Sequence, residues 1–212
     1  MRTSFRIGKV FGIPVRLHIT LLIIVVFIAW TVGNSLPQIA RLIGADPTGI
    51  SSGLQSYLLG LVLAIGLFAS VLFHEVAHSL TAQGYGVNIK EITLWVFGGV
   101  SNMEEIPREP RLEMRVSAVG PLTSLGIGAF CYLIGVILSQ SLLVFTFKYL
   151  GIMNLVLAGF NLLPAFPMDG GRILRAFFAR NESYVTATNK AAEVGKFFAI
   201  VIGVVGFFIN PF

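Results

Sequence analysis

The sequence predicts an all-α polytopic membrane protein: a bundle of about five transmembrane helices carrying a small membrane-associated β-hairpin. Three observations lead there. Charged residues make up only 12% of the 212 positions, against roughly 25% in soluble domains. Mean hydropathy is +0.84. Uncharged runs long enough to cross a bilayer, roughly 18 residues or more, recur along the chain, so a single transmembrane domain over 1–212 is expected and not a soluble fold with an anchor.

The elements follow in order. A first span is expected near 19–36; the block before it is too long for the charged start of a cleavable signal, so the span is read as retained. A second is expected near 55–80, because no charged side chain occurs from Pro47 to Phe73. The segment "NIKEITLWVFGGVSNM", 88–103, is too short to span. Ile89, Ile92, Leu94, Val96 and Val100, with Trp95 and Phe97, favour strands and Gly98-Gly99 favours a turn, which predicts a hairpin whose open edge could pair with an extended chain. Val116 to Phe147 is uncharged and too long for one crossing. With "SQS" at 139–141 as the turn, it resolves into spans near 114–138 and 144–164. A fifth span is expected near 192–209, and "FFINPF" follows with no polar tail, as in a chain whose next helix is missing. Cys131 is the only cysteine, so no internal disulfide is expected.

Basic residues sort by side. Arg2, Arg6, Lys9 and Arg16 precede the first span. Lys90, Arg108, Arg111 and Arg115 lie around the loop between the second and third. Arg172, Arg175, Arg180, Lys190 and Lys196 lie around that between the fourth and fifth. Thirteen of fifteen thus share a face, leaving Arg41 and Lys148 for the other. The positive-inside rule makes the crowded face cytoplasmic, the N-terminus with it. The net charge of +5 is thereby a topology signal, and no nucleic-acid partner is expected.

At the cytoplasmic end of the second span stands "HEVAH", 74–78. Helical residues four apart share a face, so His74 and His78 can present both rings to one divalent ion. Glu75, offset by one residue, can handle a metal-bound water without being a ligand. This is the H-E-x-x-H pattern of zinc proteases, and it takes two of only three histidines in the chain. Ionisable groups at membrane depth are costly and by default functional.

A catalytic zinc takes three protein ligands and keeps a fourth position open. His18 and Asp169 are the candidates for the third. His18 opens the first span, where an interfacial imidazole needs no metal to explain it. Asp169 sits in "NLLPAFPMDGGR", 161–172, at the cytoplasmic end of the fourth span, the same end as the histidine pair. Pro164 and Pro167 break the helix there, while Gly170 and Gly171 free the backbone to turn the carboxylate inward. Gly120, Ser124 and Gly128, four apart, read as scaffold that lets helices approach, not as chemistry. Two rival readings exist. A membrane metal transporter or non-proteolytic metal-binding protein would usually show internal repeats, which are not found; a haem protein using His18 with His74 or His78 leaves Glu75 and Asp169 idle.

"HEVAH", together with Asn161, Pro164, Pro167, Asp169 and Gly170 in an N-x-x-P-x-x-P-x-D-G pattern, resembles the site-2 proteases, intramembrane zinc metalloproteases, and most closely their compact archaeal type. "FGGV" at 97–100 and "VGPL" at 119–122 agree. The resemblance implies one Zn2+ per chain on His74, His78 and Asp169, with Glu75 as catalytic base. It implies that Asn161 lies near the scissile bond and that the hairpin with Gly98 and Gly99 meets substrate. The expected activity is peptide-bond hydrolysis within or near the transmembrane segment of a single-span membrane protein, such as a membrane-tethered regulator, in the lipid bilayer of the cell membrane. A sixth span and a C-terminal regulatory domain, as in the archaeal type, are not expected in this chain.

Overall fold

The structure, a computed structural model, describes residues 3–46, 53–96, 98–103 and 108–209. Phe97, expected within the hairpin, lies outside them, as do Arg2 and the end of "FFINPF". Among the described residues, five helices are long and apolar enough to cross a membrane. They are α1 (Ile19–Leu42), α2 (Leu54–Gly84), α3 (Pro110–Ile137), α4 (Ser141–Asn161) and α6 (Tyr184–Ile209). The expected spans are all present, most of them several residues longer. The break at "SQS" falls where expected, with α4 beginning at Ser141.

Two features go beyond the expectation. The hairpin of β3 (Ile89–Trp95) and β4 (Gly98–Met103) belongs to a four-stranded sheet. Residues before the first span supply its other half, β1 (Ser4–Val10) and β2 (Ile13–His18), joined through Phe11 and Gly12 at φ 49° and 82°. Strand order is β1-β2-β3-β4. The outer pairs are antiparallel and β2 runs parallel to β3, with Val15 opposite Ile92 and Leu17 opposite Leu94. The second feature is a short helix, α5 (Asp169–Phe178), between α4 and α6.

Two apolar clusters divide the bundle. Near the sheet, Ile13, Ile89, Ile92 and Leu94 pack on Phe68, Val71 and Val76 of α2 and on Leu112 and Val116 of α3. Towards the other end, Val32, Leu36 and Ala40 of α1 meet Leu63 of α2 and Phe145 and Tyr149 of α4. Small residues set the helix spacing. A Cβ at Gly60 would strike the Ala29 backbone, and one at Gly151 would strike that of Tyr132. Apolar side chains otherwise face outward in numbers, Phe27, Leu133 and Phe207 among them, as expected of helices whose solvent is hydrocarbon.

Candidate metal centre

His74 and His78 lie one turn apart on α2, both buried at 4% and 7% exposure. Their Nε2 atoms are 3.1 Å apart, and Asp169 Oδ2 stands 3.2 Å from each. Asp169 opens α5, where the unpaired amides of the first turn favour a negative charge. Burial works to raise its pKa, but hydrogen bonds from His74 and His78 and their charge outweigh it and hold it at about 2. The carboxylate is therefore ionised at neutral pH.

The outer ring nitrogens orient the rings. His78 Nδ1 donates to the Val116 carbonyl at 2.5 Å, so in the neutral ring Nε2 carries the lone pair and faces the cluster. His74 Nδ1 is 3.0 Å from Ser124 Oγ. Both partners belong to α3. Gly120, on the same helix, lies so close that a Cβ there would fall on both Nε2 atoms. Ser124 and Gly120 are thus the residues that the sequence reading missed as part of the site: the small-residue stripe is scaffold only at Gly128, which packs on α4 at Leu155 and Gly151. The available signal was the hydroxyl, the one polar group of the stripe, at a depth where polar groups need a reason.

These donors fit a zinc ion. Two imidazole nitrogens and an ionised carboxylate oxygen converge within 3.2 Å of one another, a donor set that a divalent cation would bind in place of the protons the rings otherwise share with Asp169. Tetrahedral zinc with bonds of 2.0–2.2 Å would hold its ligand atoms roughly 3.3–3.5 Å apart, close to the spacings found. Each histidine also has the outer hydrogen bond that ligating imidazoles ordinarily make.

His18 is not brought to this cluster. Its Nδ1 accepts from Thr20 N, capping α1, and its Nε2 is 2.7 Å from Thr3 Oγ1, so both nitrogens are engaged locally. Glu75 is half-buried, and its Oε2 accepts from Ser101 Oγ of β4 at 2.8 Å; Ser101 in turn meets Ser79 at 3.1 Å. Gly99 of β4 is pressed against the Glu75 side chain so closely that a Cβ would overlap it. Gly98 sits at φ 128° with open space around it. Asn161 ends α4 and donates to Leu157 O within its own helix at 3.0 Å. Gly170 and Gly171 differ from the expectation. Neither has positive φ; both are helical and serve contact, since a Cβ at Gly170 would strike the Leu162 and Leu163 carbonyls and one at Gly171 the Ala165 backbone. They seat α5 on the 162–168 loop, and that seat presents Asp169.

The profile of peptidase family M50 matches residues 62–143 and 137–202. The zinc metalloprotease MJ0392 of Methanocaldococcus jannaschii is 38% identical over 203 residues, covering 95% of this chain and 53% of that protein. Rip3 of Mycobacterium tuberculosis is 33% identical over 211 residues, covering 97% of this chain and 52% of its own length. The chain thus spans about half the length of these relatives. Among solved structures, the site-2 protease from Methanocaldococcus jannaschii superposes with a TM-score of 0.60 at 35% identity, covering 98% of this chain and 87% of that one. From motif, fold and profile together, the chain belongs to peptidase family M50, the site-2 protease family.

Proposed function

We propose that this chain is an intramembrane zinc metalloprotease that hydrolyses peptide bonds within or near the transmembrane segments of single-span membrane proteins. One observation carries the reading: two imidazoles of α2 and a carboxylate of α5 meet beside Glu75, in a chain with five helices apolar enough to span a bilayer among its described residues. His74, His78 and Asp169 would hold the ion. Zinc, when bound there, supplies a Lewis acid that lowers the pKa of water to about 7 and polarises a carbonyl.

The remaining work falls to side chains of the protein. Glu75 accepts the proton of the attacking water and returns it to the leaving amine. Its hydrogen bond from Ser101 fixes the carboxylate, and Gly99 lets β4 come close enough to make that bond. Among the described residues, β4 is an edge strand of the sheet. A substrate helix must unwind before it can offer a carbonyl, and an open strand edge beside the base could replace the helix bonds that it loses. Gly98 and Gly99 would line that path, and Asn161 would reach the substrate backbone once released from Leu157. The crowding of basic residues at the metal end argues that this end is cytoplasmic; the bilayer of this proposal is the cell membrane.

Glu75→Gln tests the reading. The variant should keep its zinc while cleavage of a membrane-embedded substrate in detergent or liposomes falls by several orders of magnitude, and a chelator should abolish cleavage by the parent. A parent that binds zinc and moves it across a membrane without cutting any substrate would instead mean a transporter.

A further inference from the structure

We propose that the Glu113–Arg175 pair is a positioning device for the third metal ligand: it locks α5 to α3 and so sets Asp169 against the two histidines. The inference deepens the proposed function and rests on it.

Glu113, in the first turn of α3, is 5% exposed. Its Oε1 accepts from Arg175 Nε at 2.9 Å and also from Arg175 Nη2. Arg175 lies on α5, six residues after Asp169. Its guanidinium also stacks 5.3 Å from the centre of the Phe166 ring, in the loop that leads into α5. One side chain therefore ties together the helix that begins with Asp169, the loop before it, and α3.

That third element is the significant one. α3 already holds His78 through the Val116 carbonyl, one turn from Glu113, and His74 through Ser124. Through Glu113 it also fixes the helix of Asp169, so all three donors are referenced to one rigid element. Such a pair has no need to be buried for stability alone, since a buried ion pair of this kind is often no better than an apolar replacement. Its geometric leverage is considerable. Arg175 stands about 9 Å along the helix axis from Asp169, and a tilt of roughly 10° over that length moves the carboxylate by about 1.6 Å, beyond the ~0.5 Å within which a preorganised site must be held. Supporting contacts around metal ligands typically contribute 10- to 100-fold in metal affinity.

The test uses the full chain in detergent and reads zinc affinity by competition with a chromogenic chelator, together with the visible spectrum of the Co2+-substituted protein. Arg175→Met should weaken zinc binding about 10- to 100-fold and change the cobalt spectrum. Arg175→Lys, which keeps the charge but not the fork, should fall between it and the parent. Glu113→Gln, which keeps an acceptor for Arg175, should stay within a few-fold of the parent. A folded Arg175→Met protein with parental affinity and an unaltered spectrum overturns the proposal. Where Arg175→Met does not fold, Arg175→Lys decides, and parental values for it overturn the proposal equally. A parent that holds no zinc would instead defeat the proposed function, an outcome distinct from either of these.

Discussion

Ser117 and Ser124 share the buried side of α3, exposed by 1% and 0%, yet their circumstances differ. Ser124 Oγ lies within hydrogen-bond distance of His74 Nδ1, whereas Ser117 Oγ is buried without a partner among the described residues. The histidine ring has two nitrogens, and the bond at one of them decides whether the other offers a lone pair. Ser124→Ala should therefore weaken zinc binding about 10- to 100-fold, while Ser117→Ala should leave it unchanged; equilibrium dialysis against a zinc buffer compares the two. Equal affinities would mean that Ser124 is mere packing. At this scale the sequence offered the three candidate donors and the candidate base, because helical spacing and the cost of charge in a membrane make them stand out. The supports were illegible for a physical reason. Serine and glycine are common where membrane helices touch, and only the chance of facing α2 turns two members of the stripe into part of the site.

Elements were legible in proportion to their length. Five spans could be placed because hydrocarbon thickness demands long uncharged runs, a signal that little else in a sequence imitates. The strands β1 and β2 were not, since "SFRIGKVFGIPVRLH" reads as a basic lead-in, its alternation is broken by a bulge between Arg6 and Gly8, and β1 is exposed along most of its length. The helix α5 was hidden too: ten residues cannot span, and the glycines at its start look like a turn until they are seen packed on the 162–165 backbone. What the sheet does for the site is visible at Gly99. β4 approaches α2 so closely there that any side chain would push Glu75 aside. Gly99→Ala should lower the cleavage rate at least tenfold while zinc content, measured by atomic absorption, stays at one per chain, because the metal donors lie on other elements. Loss of zinc in that variant would show that the strand supports the metal donors as well as the base.

Taken whole, the molecule has two unlike ends. At one, Lys148 Nζ donates to the Gly44 carbonyl at 2.6 Å, so the two cations set apart in the sequence, Arg41 and Lys148, share the end where α1 passes to α2 and α3 to α4. The other end carries the sheet, α5 and the candidate metal centre. Since positive charge is retained on the cytoplasmic side, the metal end should face the cytoplasm, and water and the ionised groups of the site should be reached from there. Single cysteines in a Cys131→Ser background can test this. Ser139→Cys lies in the short link between α3 and α4, and Asn181→Cys between α5 and α6; both positions are exposed. A membrane-impermeant maleimide added to intact cells should modify the cysteine at 139 at once and the one at 181 only after permeabilisation. The opposite pattern would put Glu75 and its neighbours on the outer side. The substrate bond would then have to lie near the outer end of its transmembrane segment, and the charge asymmetry of the chain would need another explanation.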